Sequence, residues 1–316
     1  MLHPRRPQGG PDDHPGARGR VSGGARQLRI RIPAVRARPR RAVPAPGIGH
    51  HLALVALMVS VPERIAAFAY HDVTDDARDS GFHDAGALPF KLSRAAFARH
   101  LDAIAETAAR PQLVTAIDCA TPGRALLLTF DDGGMSALHA GDELCRRGWR
   151  GHFFIVTARI GTRAFLDAAG IRYLRACGHV VGSHSHSHPH IFREQTADQM
   201  ATEWRTSGGR LADLLGEPCT TAAVPGGDIS PLVLESAAAA GFHHVFTCEP
   251  TLAPQRVGGC WVLGRFSVKV TTSASRIREL AGLRGWERAL LVRRLKNFAR
   301  MALPGPYRHY VRWRTT

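Results

Sequence analysis

The sequence predicts a parallel, barrel-like α/β domain, and two observations predict it. Short apolar runs that end on Gly, Asp or His alternate with stretches of helical period, which is the pattern of repeated βα units. The clearest run, Leu126-Leu127-Leu128-Thr129-Phe130, stops abruptly on Asp131-Asp132-Gly133-Gly134. A strand covered on both faces loses apolar–polar alternation, so this run reads as the centre of a parallel sheet. In such folds the carboxyl ends of the strands carry ligands and catalysis. Two adjacent carboxylates there raise one another's pKa unless a cation or a base role resolves the conflict. A plain Asp-Gly surface turn accounts for the same four letters.

In chain order, residues 1–47 contain 11 Arg and 2 Asp in a Pro/Gly-rich context. That composition buries too little surface to offset chain entropy, so a disordered leader over 1–57 is expected, or a start codon assigned upstream of Met58. Leu52 to Val61 is apolar over ten residues, too short to span a bilayer and of signal-peptide length. No small-residue cleavage site follows, so a cytoplasmic protein is expected, with export on a signal anchor as the alternative.

Ile65 to Tyr70 reads as the first strand, delivering His71-Asp72-Val73 to the same rim as Asp131. Ser93 caps a helix whose Ala96, Phe97, Leu101 and Ile104 share a stripe. Ala137 to Arg147 is helical, Phe153 to Val156 a strand, and Phe165 to Ala176 a helix. Val180-Val181 then leads into Gly182-Ser183-His184-Ser185-His186-Ser187-His188-Pro189-His190, with histidines at alternate positions. Imidazole is the commonest metal ligand among side chains. In a helical turn His184 and His188 share a face; in an extended segment all four histidines do, so spacing alone does not choose the pair.

Thr196 caps a helix through Leu215, and Thr220 to Val224 is a strand ending in Pro225-Gly226-Gly227. Ser230-Pro231 opens a helix to Ala240, and His243 to Thr247 and Cys260 to Leu263 close the series.

Thr129-Phe130-Asp131-Asp132-Gly133, His184-Ser185-x-x-His188-Pro189 and Val224-Pro225-Gly226-Gly227, in that order, resemble the polysaccharide deacetylases of the NodB homology group, carbohydrate esterase family four. The resemblance covers about residues 65 to 265 and implies a distorted (β/α) barrel over 62–265. It implies Asp131 as general base, Asp132, His184 and His188 as ligands of one divalent ion, expected to be zinc, and His186 and His190 as spectators. Gly226 becomes the oxyanion donor. Tyr70-His71-x-Val73 resembles the subgroup acting on poly-N-acetylglucosamine-like polymers, which implies His71 as general acid. Two departures stand out. The Leu-x-His motif near the domain end is absent, since residues 262–266 read Val-Leu-Gly-Arg-Phe. Ala223 occupies the place of the Arg that usually orients the base. The implied activity is removal of acetyl groups, N-linked ones above all, from a saccharide or polysaccharide precursor, lipid-linked precursors included. A catalytically silent saccharide-binding protein is the rival reading.

The formal charge of +16 sits at the ends: residues 1–47 contribute +9, 265–316 contribute +11, and the stretch between is −4. Charge therefore says nothing of the site, and nucleic-acid binding is set aside because aromatics are not interleaved with the basic residues. Six cysteines without C-x-x-C spacing argue against a cysteine zinc site and fit a reducing compartment. From Arg276 on, Leu280, Leu283, Trp286, Leu290, Leu291, Leu295, Phe298 and Met301 recur at helical spacing among Arg and Lys. This predicts a basic helical extension over 266–316 that packs on the domain or contacts a membrane peripherally.

Overall fold

The computed structural model describes residues 64–227, 229–302 and 305. The leader 1–57, Met58 as a start, the apolar run to Val61 and the last residues of the basic extension lie outside the described residues. The strands are β1 (Arg64–Tyr70), β2 (Asp72–Val73), β3 (Lys91–Leu92), β4 (Arg124–Phe130), β5 (His152–Ile155), β6 (Val180–Ser183), β7 (Thr221–Ala223), β8 (His244–Phe246), β9 (Gln255–Val257), β10 (Cys260–Leu263) and β11 (Phe266–Ser267). The helices are α1 (Arg94–Ala105), α2 (Ala137–Arg146), α3 (Ala168–Ala176), α4 (Ala197–Leu215), α5 (Pro231–Ala239), α6 (Ala274–Ala281) and α7 (Trp286–Ala302).

Nine strands form one sheet in the order β11-β1-β4-β5-β6-β7-β8-β10-β9, and only the β9–β10 pair is antiparallel. The distorted barrel is thus open between β11 and β9. Ile65, Ala67, Leu127, Phe154, Ala223, Phe246 and Leu263, drawn from six strands, fill its inner face. On the outer face Tyr70 stacks on Phe130 and Phe130 on Phe153, with centroids 5.5 and 4.7 Å apart, directly behind the strand ends that carry the acids. Emptying such an aromatic position costs about 3–5 kcal/mol, so this row fixes the rim rigidly.

Local signals explain most helix starts. Ser93 Oγ accepts from Ala96 N–H, Thr196 and Gln199 form a reciprocal capping box, and Ser230 with Pro231 opens α5. The helix expected from Phe165 begins at Ala168 instead, capped by Asp167. The residues before it are drawn to the Asp-Asp-Gly-Gly turn, where Leu166 N–H donates to Gly133 O.

The boundary expected at 265 is not where the packing stops. β11 extends the sheet beside β1, Phe266 opposite Phe68, and Ile277, Leu280 and Trp286 are buried in the main core. Trp286 stacks on Phe68 at 6.3 Å and donates Nε1–H to Leu280 O. The single helical period read across this region is broken between α6 and α7, where Leu283 and Gly285 take φ of 61° and 74°. None of the six cysteines is in a disulfide.

Candidate active site and metal centre

The register of β1 on β4 pairs Tyr70 with Phe130, so the next residues, His71 and Asp131, leave neighbouring strands side by side. Asp131 N–H donates to Tyr70 O at 2.9 Å and latches the two strand ends together. The chain must then turn sharply. Gly133, at φ 76°, leaves no room for a side chain, because a Cβ would lie 2.9 Å from Ile155 Cδ1. Gly134 is tighter still, with a Cβ 2.3 Å from Asp72 Oδ1.

Asp131 is buried, and both its oxygens are held by Arg265: Nη1 lies 2.7 Å from Oδ1 and Nη2 2.9 Å from Oδ2. Arg265 is itself 0% exposed, donating Nε–H to Thr247 O and a second Nη1 bond to Thr129 Oγ1, with its guanidinium over Phe154 and Phe246. Burial by itself would raise the Asp131 carboxyl, but the guanidinium, with the charges of His184 and His71, brings it below the ordinary carboxylate value. The cation that Ala223 does not provide therefore comes from β10–β11, in the segment that reads as a missing Leu-x-His.

Asp132, His184 and His188 converge. His184 Nε2 is 3.4 Å and His188 Nε2 3.7 Å from Asp132 Oδ1, and the candidate ligand atoms lie within 4.8 Å of one another. His184 Nδ1 is 2.9 Å from Ala223 O. A carbonyl only accepts, so Nδ1 carries a proton in either charge state, and once Nε2 gives up its own proton a lone pair faces Asp132, the tautomer a metal ligand needs. Two imidazole nitrogens and one carboxylate, one imidazole oriented by a backbone carbonyl, fit a divalent transition metal.

Charges follow the geometry. Burial opposes ionisation of Asp132, yet its bond with His184 and the charges of His71 and His188 hold its carboxyl well below the usual range. Burial depresses His184, but Asp131 and Asp132 outweigh it and raise the imidazole pKa. At His188 burial wins over Asp132 and pushes the value down to about 4. Three of the five positive-φ non-glycine residues among those described, Asp132, Ser185 and His188 at 74°, 63° and 57°, belong to this one cluster. Backbone strain is concentrated where the ligand atoms are aimed.

The other histidines separate clearly. His186 Nδ1 is 2.9 Å from Thr157 Oγ1, and His190 is exposed; neither joins the cluster. His71 packs on Phe90 with centroids 4.7 Å apart, and its Nδ1 is buried without a hydrogen-bond partner among the described residues. Gly226, at φ 60°, sits exposed at the apex of the Pro225–Gly227 turn and makes no hydrogen bond to the other five residues.

Three groups that sequence reasoning missed support these. Arg265 follows the apolar strand β10 across one glycine, as Asp131 follows β4 directly, so each is a charged residue just past a strand end. Glu203 on α4 accepts from His186 N–H, Ser187 N–H and Ser187 Oγ–H at 2.8, 2.7 and 2.6 Å, clamping the histidine loop. Asp72 accepts from Ser80 and Ser136 hydroxyls and pairs with Lys91 Nζ at 3.1 Å, with side chains 5% and 3% exposed, beneath the His71 turn. No local pattern announces Glu203 or Lys91, since both lie on elements with other evident tasks.

Residues 118–245 match the family described as polysaccharide deacetylase. No curated protein matches the chain. Among solved structures, IcaB from Ammonifex degensii is 24% identical with a TM-score of 0.58, covering 69% of this chain and 97% of that one. Streptococcus pyogenes deacetylase PplD, solved with acetate, is 17% identical with a TM-score of 0.57, covering 68% and 97%. A de-N-acetylase from Aggregatibacter actinomycetemcomitans is 16% identical with a TM-score of 0.58, covering 68% and 99%. At these identities the likeness in structure speaks for the fold. The family match spans the Asp-Asp-Gly-Gly turn and the histidine loop, so over this stretch, and in the fold around it, the chain is similar to the polysaccharide deacetylases.

Proposed function

We propose that this protein hydrolyses N-acetyl groups on an aminosugar polymer or its precursor, with a divalent ion, zinc by the donor set, held by Asp132, His184 and His188. The observation that carries the reading is the convergence of that triad with an Arg-paired Asp131 and with His71 on one rim. A bound divalent ion polarises the acetyl carbonyl and makes a nearby water more acidic.

The chain's own residues do the rest. Asp131, kept ionised by Arg265, accepts a proton from water as its oxygen bonds to the carbonyl carbon. Gly226 N–H donates to the oxygen that becomes negative. When the carbon–nitrogen bond breaks, the amine leaves with the electron pair and needs a proton, which His71 supplies. Acetate and a free amine are the products. One of the solved structures that share this fold is a de-N-acetylase, which supports the nitrogen-linked acetyl as substrate. The silent-binder reading rested on the absent cation at Ala223, and Arg265 removes that ground.

Acetate release from an acetylated glucosamine oligomer, with metal content measured in parallel, tests the reading. Turnover that is lost in Asp131→Asn with metal retained supports it. A metal-loaded parent protein that releases no acetate from any acetylated saccharide refutes it.

A further inference from the structure

Helix α7 has two faces with different fates. The inner one runs through Trp286, Leu290, Arg293 and Asn297, spaced by four, three and four residues. Trp286 is buried, Arg293 pairs with Glu249 at 2.7 Å and donates to Gly227 O at 2.7 Å, and Asn297 also bonds Glu249. These contacts fasten the helix to the rim loop that bears Gly226. The opposite face carries Leu291, Leu295 and Phe298, at i, i+4 and i+7, which are 59%, 61% and 67% exposed. Val292 beside them is 46% exposed.

Solvent-facing leucine and phenylalanine in a row call for a partner, and the surrounding charge says which. Exposed Arg288 and Arg294 border the stripe on either side, and the helix has five Arg or Lys against one acid, Glu287, in its first turn. The segment 265–316 is +11 in all, whereas the catalytic stretch between the two basic ends is −4. An apolar stripe edged with arginine on a helix is the arrangement that lies in a membrane interface, with acyl chains under the stripe and phosphates at the arginines. No described helix is long and apolar enough to cross a membrane, which fits a surface position.

We propose that the outer face of α7 docks the protein on an anionic membrane surface, with Leu291, Leu295 and Phe298 entering the headgroup region and Arg288 and Arg294 on lipid phosphates. Because Arg293 ties the same helix to Gly227 O, the docked surface adjoins the rim of the site. Docking then holds that rim close to the bilayer. This proposal does not depend on the chemistry proposed above.

The test is sedimentation of the full chain with vesicles of phosphatidylcholine and phosphatidylglycerol in equal parts, and with phosphatidylcholine alone. The parent should partition to the anionic vesicles and hardly to the neutral ones. Leu291→Gln/Leu295→Gln/Phe298→Gln should weaken partition by about a hundredfold or more, with unchanged acetate release from a soluble oligomer. Arg288→Gln/Arg294→Gln should weaken it about fivefold per arginine, and this variant carries the test should the triple variant fail to fold. Partition of a folded triple variant equal to that of the parent would assign binding to the basic leader and overturn the proposal. So would a parent that ignores anionic vesicles, or a stripe whose loss only turns a dimer into a monomer, which would assign that face to a second copy.

Discussion

Arg265 grips Asp131 with both Nη groups, and the two residues stand 134 positions apart in the chain. Both are buried, so the pair is worth far more intact than broken. Removing one partner leaves an uncompensated buried charge, at about 3–5 kcal/mol. Arg265→Ala should therefore lower the melting temperature and abolish most turnover. Arg265→Lys should recover little, because an ammonium does not reproduce the two parallel bonds. Arg265→Met with Asp131→Leu should regain stability without activity. Melting curves beside acetate-release rates check all three, and an active, stable Arg265→Ala protein would refute the assignment.

The metal triad makes a discriminating prediction. Alanine at Asp132, His184 or His188 should cut metal content sharply, while alanine at His186 or His190 should not, since those rings face Thr157 and solvent. Elemental analysis of the purified variants decides. Equal loss at His186 would mean a different ligand pair.

Glu203 should behave as a positioning residue. Glu203→Gln loses the charge that holds three donors of the histidine loop. Metal affinity should fall by about 10–100-fold with the fold intact, as for other groups that orient ligands from behind. Competition with a chelator of known affinity measures it.

His71→Ala should lower turnover by about 10²–10⁴-fold with metal content nearly unchanged, the size expected for a positioned general acid. Near-full turnover in that variant would place the acid elsewhere.

Metal binding should compete with a proton. His184 must be neutral to bind an ion, yet the two aspartates raise its pKa above the ordinary 6.5. Affinity should therefore begin to fall while pH is still above that value, by about tenfold per pH unit for one displaced proton. His188, down at about 4, is neutral throughout and adds nothing to this slope. Isothermal titration with zinc across the neutral range measures the slope, and a flat profile would contradict it.

The βα alternation and the strand-end acids were legible because each depends on a few adjacent residues: an apolar run, then a turn, then a cap. The histidine pair was legible only as a choice, since His184 and His188 are selected by backbone at Ser185 and His188 in the left-handed region, which no spacing rule encodes. Arg265 was hidden by distance. It reads as a departure from a motif until the sheet brings β10 and β11 round to face β4. The tail was legible as amphipathic, but not as two helices with opposite fates, because the break depends on Leu283 and Gly285 and on the burial of Trp286.

The long separation between Asp131 and Arg265 also sets a timetable. During synthesis the carboxylate leaves the ribosome well before the β10–β11 connection that carries its guanidinium, and β11 then seats against β1, the first of the described strands. Until that late arrival a folded amino-terminal portion would have to bury Asp131 either protonated or unpaired. A nascent or prematurely terminated chain ending before β10 thus lacks the guanidinium that holds Asp131, even where most of its sheet has formed.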